Sequence, residues 1–386
     1  MNWQLLDYLD QRRQEMRELL EQLVSAESPS TIPPAQHQVL ALLRQALECR
    51  DYRVRQIPGR QTGGHLLAVP RTRPSHQPTQ LLLGHCDTVW PLGTLEKMPV
   101  SVRQGKLYGP GSYDMKAGLV LLLFALEAIQ ANDLIPTVAP IIFINSDEEI
   151  GSRESTKYIR RLAQRVERAF VLEPSLGPTG KLKTARKGVG KFTIRVLGRA
   201  AHAGLEPEKG ASAILELSFV IQKLFALNDS QAGISVNVGT IDGGIRPNVI
   251  APESQAEVDV RVLNPDDAQR IEAAILSMQP TIPDVQLVIE GGMERQPMQR
   301  TQGNQRLWQL AQAAAGDLGL EIDQAIAGGG SDGNTTSLYT PTLDGLGAVG
   351  DGAHSPGEFV YLEPMVERSA LLARLLLEPP LQFKTS

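Results

Sequence analysis

Short apolar runs that end in a His or a carboxylate recur along the first half of the chain. The clearest run is Leu81–Leu83, which is closed by Gly84 and followed by His85 and Asp87. Such a run is typical of a strand that is buried on both faces of a sheet. In open α/β sheets, ligands bind at the carboxyl ends of the strands. A metal-binding His oriented by a nearby carboxylate fits this position. A histidine whose hydrogen bonds are made within a tight turn would fit this position as well, so this stretch alone leaves both interpretations open.

A glycine-rich loop carries the next candidate, Asp114. The loop leads into the apolar helix predicted at Leu119–Ile129. An Asp at such a junction commonly caps the helix, which is the alternative to a role in a metal site.

Two more predicted strands end in carboxylates. The run Pro140–Asn145 leads to the acidic stretch Asp147–Glu149, and Ala169–Leu172 is followed by Glu173. A solvated acidic loop is the simpler interpretation of the first, although buried strands rarely end in such a cluster unless a cation neutralises it. Together with His85 and Asp114, these positions lie at four successive strand ends. We expect these strands to belong to one parallel sheet and their ends to converge on one pocket.

The pattern changes near residue 187 and changes back near residue 300. Between these points the predicted order is strand, helix, strand, strand, helix, strand, which is the order of a split βαβ domain of ferredoxin-like type. The α/β pattern of the first part then resumes. We therefore predict a domain at 187–299 that is inserted into a domain formed by 1–186 and 300–386.

Composition narrows the function classes. The chain has 386 residues, 42% hydrophobic and 21% charged, with a net charge of −5. This charge argues against a nucleic-acid partner. Only two cysteines occur, Cys49 and Cys86, which gives no disulfide framework and favours a reducing compartment. We find no signal peptide and no apolar run of the ~20 residues that a membrane span needs, so we expect a cytoplasmic protein without a membrane partner.

The candidate ligands are imidazoles and carboxylates. In chain order they are His85, Asp114, Glu149, Glu173 and His354. This donor set suits Zn²⁺, Co²⁺ or Mn²⁺, and its lack of thiolates argues against a structural zinc site. Five ligands can serve two ions if one carboxylate is shared, which is the arrangement of two-metal hydrolases. A carboxylate beside a ligand, such as Glu148, is the expected general base.

Five segments in this order resemble the M20 metallopeptidases, a family that includes glutamate carboxypeptidase, aminoacylase and succinyl-diaminopimelate desuccinylase. The segments are Gly84–Val89, Gly109–Gly118, Asp147–Ser152, Gly198–Gly204 and Gly352–Ser355. The resemblance implies an α/β fold, in which a mixed-sheet zinc-peptidase catalytic domain carries an inserted ferredoxin-like α+β domain. That inserted domain would act as a lid and as the dimerisation module of a homodimer.

The resemblance also implies roles for individual residues. His85 and Glu173 would bind one metal ion, Glu149 and His354 the other, and Asp114 would bridge them. The expected ion is Zn²⁺, with Co²⁺ or Mn²⁺ as alternatives. Asp87 would orient His85, and Glu148 would be the base. His202 of the inserted domain would stabilise the oxyanion of the tetrahedral intermediate, either in its own active site or in that of the partner subunit.

The substrate-binding residues implied by the resemblance are those of the glutamate carboxypeptidase branch. They are Asn248, Arg261, Gly329, Gly330 and Ser331. Without the resemblance, Arg261 would be interpreted as a surface charge. The stretch Thr184–Gly188 departs from that branch and leaves the side-chain preference open.

Two other functional assignments have weaker support in the sequence. Gly188–Lys191 suggests a phosphate loop, but Phe192 stands where Ser or Thr is required. No Gly-x-Ser-x-Gly motif accompanies the histidines, which argues against a serine hydrolase. We therefore expect a two-metal hydrolase that releases an amino acid with a free α-carboxylate from a small peptide or N-acyl amino acid. An N-acyl-amino-acid amidohydrolase, an aminopeptidase and an inactive metal-binding relative are the alternatives.

Overall fold

The computed structural model describes residues 2–381 of the chain, which folds as two compact units. The first unit contains the residues up to Ala185, Arg300–Ile326 and the described residues from Ser331 onward. The second contains Arg186–Gln299 and Ala327–Gly330. The lid and dimerisation roles of residues 187–299 stay predictions. Positions 382–386 of the predicted segment 300–386 lie outside the described residues.

Within residues 2–381 the chain forms ten α-helices. They are α1 (Asn2–Asp10), α2 (Arg13–Ser25), α3 (Pro33–Glu48), α4 (Ala117–Ala131), α5 (Thr156–Ala163), α6 (Ala213–Phe225), α7 (Pro265–Leu276), α8 (Gln302–Asp317), α9 (Asp332–Thr336) and α10 (Pro364–Leu377). In this part of the chain no helix is both long and apolar enough to cross a bilayer.

The same residues form sixteen strands, which lie in four sheets. They are β1 (Tyr52–Ile57), β2 (His65–Pro70), β3 (Thr79–His85), β4 (Ser101–Arg103), β5 (Lys106–Tyr108), β6 (Ala139–Asn145), β7 (Arg168–Val171), β8 (Leu182–Arg186), β9 (Gly188–Leu197), β10 (Ser235–Gly243), β11 (Glu253–Val262), β12 (Gln286–Arg295), β13 (Gln324–Ala327), β14 (Thr342–Leu343), β15 (Gly350–Asp351) and β16 (Phe359–Tyr361).

The first unit is built on a mixed sheet of six strands in the order β1-β2-β6-β3-β7-β14. Strand β3 lies between β6 and β7 and is parallel to both. All residues of β3, β6 and β7 are buried, because their apolar side chains face packed layers on both sides. Since the three strands point the same way, the residues that follow each of them meet at one edge of the sheet.

Helix α4 closes one side of that edge. Its sequence is apolar over almost its whole length, and most of it is buried. A Cβ at Gly118 would lie 2.1 Å from the carbonyl oxygen of Leu172. Glycine therefore lets the start of α4 approach the end of β7, next to the position of Glu173.

A small antiparallel sheet, ordered β15-β16-β5-β4, supplies the other two candidate segments. Asp114 lies in an irregular turn, Ser112–Lys116, which follows β5 and precedes α4. His354 follows β15. The expectation that Asp114 follows a strand of the parallel sheet is therefore wrong. Pairing of β5 with β16 joins two distant parts of the chain, and such pairing cannot be predicted from a pattern of apolar residues.

The second unit has a four-stranded antiparallel sheet in the order β10-β11-β9-β12, with α6 and α7 between its strands in sequence. Phe192, Ile194 and Val196 of β9 are buried and alternate with more exposed residues. This period of two marks a sheet with one covered face. Strands β10 and β12 are the edges of this sheet.

Candidate metal centre

His85 stands at the carboxyl end of β3 with its ring fixed by the backbone. Its Nδ1 lies 3.0 Å from the carbonyl oxygen of Asp87. A carbonyl only accepts, so Nδ1 carries the proton, and a neutral ring keeps its lone pair on Nε2. That Nε2 faces Asp114 Oδ1 at 3.2 Å and Glu173 Oε1 at 3.5 Å. The ring therefore presents a ligand atom where two carboxylates converge.

A second imidazole faces the same Asp114 carboxylate from the other side. His354 Nε2 lies 3.4 Å from Asp114 Oδ2 and 3.2 Å from Glu149 Oε2. The two oxygens of Asp114 thus face one imidazole each. His354 has φ = 60°, a left-handed conformation that is uncommon for residues other than glycine, and its side chain is half-exposed.

Without a bound cation, these groups compete for protons. Burial raises the pKa of Glu149 to about 7, and hydrogen bonds with Asp114 and Glu149 raise the pKa of His354 to about 10. Burial would also raise the pKa of Asp114, but hydrogen bonds from His354 and His85 outweigh it and lower that pKa below its usual range. Burial favours a neutral His85, yet its hydrogen bonds with Asp114, Asp87 and Glu173 raise its pKa. The cluster therefore attracts positive charge, which protons on the imidazoles or bound cations supply.

The residues present fit divalent ions. Glu149 Oε1 is buried and has no hydrogen-bond partner among the described residues, which a cation beside it would provide. Among the described residues, two groups of three side chains could hold an ion, since the ligand atoms within each group lie within 4.8 Å of one another. They are His85, Glu148 and Glu173, and His85, Asp114 and Glu149. Burial raises the pKa of the neighbouring Cys86 thiol, so this donor set remains one of imidazole and carboxylate.

The Asp87 side chain contacts several segments of the site, and its predicted role in orienting His85 stays a prediction. Its carboxylate is fully buried and lies 3.4 Å from His85 Nδ1 through Oδ1. It also accepts the backbone N–H groups of Glu148 at 3.2 Å and Glu149 at 3.1 Å, and the Ser30 hydroxyl at 2.7 Å. One carboxylate therefore holds the end of β3 and the acidic turn after β6 in register.

Glu358 has a similar function that the sequence does not reveal. This buried residue, four positions after His354, accepts four N–H donors. They are the backbone groups of Gly111, Tyr113 and Asp114 and the Trp90 indole, at 2.9, 2.9, 3.0 and 2.9 Å. Burial raises the pKa of Glu358. The side chain thus holds the turn that carries Asp114 against the segment that carries His354. Its partners are three backbone groups and one indole, all distant in sequence, and no sequence motif predicts such contacts.

The remaining predicted residues lie mainly in the second unit. His202 is exposed, and its Nδ1 accepts the backbone N–H groups of Gly204 at 3.1 Å and Leu205 at 3.2 Å. This leaves the ring proton of a neutral His202 on Nε2. Asn248 is exposed, and its carbonyl oxygen accepts the N–H of Ala203 at 3.0 Å. These two predicted residues are therefore neighbours within the second unit.

Arg261 is paired inside its own strand. Its Nε and Nη2 bind the two oxygens of Asp259 at 2.8 and 2.9 Å, because residues two apart on a strand share a face. The carbonyl oxygens of Gly329 and Gly330 accept bonds from Arg186 at 3.1 and 3.4 Å.

Ser331 belongs to the first unit and is fully buried. It caps α9, and its hydroxyl donates to Asp344 Oδ2 at 2.7 Å. The ligand roles predicted for Ser331, Gly329, Gly330 and Arg261 stay predictions.

Comparison with known proteins identifies similar sequences and folds. The sequence model described as "Peptidase family M20/M25/M40" matches residues 81–378. Carboxypeptidase G2 of Pseudomonas sp. (strain RS-16) is 29% identical over 311 residues, covering 77% of this chain and 73% of that protein. Aminopeptidase PepT of Bacillus cereus ATCC 10987 has a similar structure, with a TM-score of 0.79 and 20% identity over 96% of this chain and 98% of that one. The YXEP protein of Bacillus subtilis, titled a dinuclear metal binding peptidase from the M20 family, has a TM-score of 0.69 and 15% identity over 95% of this chain and 98% of that one. The predicted α/β fold with a mixed sheet is confirmed.

We predict that Glu358→Gln weakens metal binding. The amide keeps the size of the side chain but replaces one acceptor oxygen by a donor, so some of the four N–H groups lose their partner. The turn carrying Asp114 then becomes less well fixed, and loss of such outer support typically costs about 10–100-fold in metal affinity. Competition with a chromophoric chelator measures the dissociation constants for Zn²⁺.

Glu216→Gln is the matched control. Glu216 is also a buried glutamate that accepts backbone N–H groups, those of Thr281 and Ile282, but it lies in the second unit. We expect both variants to lose thermal stability and only Glu358→Gln to lose metal affinity. Equal affinities in the two variants would show that Glu358 only supports the fold.

Proposed function

The chain belongs to peptidase family M20/M25/M40 and is a hydrolase, and we propose that it uses two divalent ions to cleave a peptide or amide bond whose product is an amino acid with a free α-carboxylate. The observation that carries this proposal is the position of Asp114, whose two oxygens face His85 and His354 separately at 3.2 and 3.4 Å. A carboxylate held between two imidazoles is suited to bridging two ions.

We assign His85 and Glu173 to one ion, and His354 and Glu149 to the other. The contacts of each imidazole support this division, because His85 faces Glu173 while His354 faces Glu149. Zn²⁺ is the ion we favour, with Co²⁺ or Mn²⁺ as alternatives for the same donors. When bound, such ions lower the pKa of water and polarise a substrate carbonyl.

Glu148 is the proposed general base. It precedes Glu149 in the turn Glu148–Ile150, and Asp87 binds the backbone N–H groups of both residues. This shared anchor keeps Glu148 beside the ligands while its own carboxylate takes a proton from the attacking water. The same carboxylate would then return the proton to the leaving amine.

His202 is the proposed oxyanion donor. Its Nδ1 accepts two backbone N–H groups, which fixes the neutral ring as a donor at Nε2. A donor with a fixed tautomer suits the stabilisation of a developing oxyanion.

Arg261, Asn248, Gly329, Gly330 and Ser331 are proposed to recognise the substrate carboxylate. Asp259 uses two of the five N–H donors of Arg261, which leaves the outer edge of the guanidinium for a carboxylate. Arg186 binds the carbonyl oxygens of Gly329 and Gly330. Because N–H and C=O of one peptide group point in opposite directions, the N–H of Gly330 points away from Arg186. The hydroxyl of Ser331 is committed to Asp344, so its contribution would depend on a rearrangement.

A homodimer formed through the second unit is part of the proposal. Ile214 and Leu215 of α6 are about half-exposed, at 49% and 51%, and Ile241 of the edge strand β10 is 66% exposed. Apolar side chains beside an unpaired strand edge favour association with another copy. We also propose a cytoplasmic location, because both cysteines are free, as expected in a reducing compartment.

We predict that Glu148→Gln retains both ions but lowers kcat about 10²–10⁴-fold, the usual contribution of a general base. Metal content by mass spectrometry and turnover are measured on the same samples. Glu154→Gln is the control, because Glu154 lies nearby in the chain but binds the backbone of Arg60 and Gln61. Near-normal turnover of Glu148→Gln would move the role of base to another group, such as Asp147.

We predict that Arg261→Lys raises KM about 10–100-fold for substrates with a free α-carboxylate, because Lys cannot form the paired bonds of a guanidinium. A panel of dipeptides and N-acyl amino acids is assayed beside their C-terminal amides, whose KM should change little. Arg270→Lys is the control, since Arg270 also pairs with an Asp, Asp267, but at an exposed position of helix α7. Equal hydrolysis of acids and amides by the unmodified enzyme would favour an aminopeptidase instead.

A further inference from the structure

A cavity of about 350 Å³ lies on the face of the six-stranded sheet that α5 covers. Its floor is apolar and includes Phe143 of β6 with Tyr158 and Leu162 of α5. Phe143 and Tyr158 form a tilted ring pair with centroids 6.3 Å apart. The volume is near the lower end of the range for small-molecule sites, about 300–1,000 Å³.

Three arginines surround this floor. Arg55 comes from β1, Arg161 from α5, and Arg165 follows the end of α5. In the part of the chain that the structure describes, no carboxylate lies within 4.0 Å of any of these guanidinium groups. Cations near the C-terminus of a helix are favoured by its dipole, which accounts for Arg161 and Arg165. The dipole does not account for Arg55, which approaches the same cavity from the edge strand.

The cavity is separate from the metal centre. Phe143 is paired with Leu83 of β3 in the interior of the sheet. His85 follows two residues later, where the strand ends. The arginines and the aromatic floor therefore lie beside the middle of the strands, while the proposed metal ligands lie at their carboxyl ends.

We propose that this cavity is a second binding site, which takes a small anion with a flat apolar body, such as an aromatic carboxylate. A guanidinium can pair both oxygens of a carboxylate, and three such groups at one rim complement a single anionic head. The ring of the ligand would lie on Tyr158 and Leu162, whose partly exposed apolar surface would leave water, and the fully buried Phe143 packs against Tyr158.

The probe for this site is 2-naphthoate, titrated calorimetrically into the metal-loaded protein. Its neutral isostere 2-naphthamide measures how much of the affinity depends on the negative charge. We expect the double variant Arg161→Gln/Arg165→Gln to bind 2-naphthoate at least about tenfold more weakly, the usual size for loss of a charge-assisted hydrogen bond. Arg55→Gln, on a different element, should weaken binding in the same way.

Arg160→Gln is the matched control, because Arg160 is an exposed neighbour on α5 that does not line the cavity. It should bind 2-naphthoate as the unmodified protein does. Equal affinity in all variants would place the probe elsewhere, for example on the metal ions, and would overturn the proposal. Absence of binding by the unmodified protein, or equal binding of the amide, would also overturn it. Thermal melting checks folding, and if the double variant were unfolded, Arg55→Gln alone would decide the outcome.

Discussion

Repulsion among carboxylates at one edge of the mixed six-stranded sheet is the constraint that the first unit has to meet. Asp114, Glu149 and Glu173 all approach the two imidazoles of His85 and His354. Two unit charges 4 Å apart interact by about 4 kcal/mol at an effective dielectric constant of 20, so this arrangement needs compensating positive charge. Protonated imidazoles can supply part of it, and the unpartnered Glu149 Oε1 marks where more is needed.

Two other carboxylates hold the segments of the site in place, and backbone N–H groups rather than imidazoles compensate their charge. Asp87 and Glu358 are buried and accept backbone N–H groups from the segments that bear Glu149 and Asp114. We call Asp114, Glu149 and Glu173 the inner carboxylates. The inner carboxylates keep oxygens directed at the imidazoles. This division explains why acidic residues of one site differ in role. Asp87 holds the turn, whereas Glu149 contacts His354.

The sequence predicts this edge of the sheet well where a local pattern exists. Strands β3, β6 and β7 contain apolar runs and are buried throughout, and the residues at or after their carboxyl ends carry the chemistry, so their convergence follows from parallel pairing. The setting of Asp114 is not predictable in this way, because it depends on the pairing of β5 with β16. Glu358 escapes prediction for the same reason. The pairing of Arg261 with Asp259 was open to prediction, since the two residues share a face of one strand.

Counting the divalent ions bound to the unmodified protein is the most direct measurement of whether this cluster is a two-metal site. The protein is purified without chelator, passed through gel filtration and analysed by mass spectrometry, with hydrolysis assayed on the same sample before and after metal removal. We expect about two ions per chain, and we expect hydrolysis to disappear with them and to return when they are restored. A preparation that hydrolyses its substrate at full rate with no bound metal would contradict the assignment of Asp114 as a bridge between two ions.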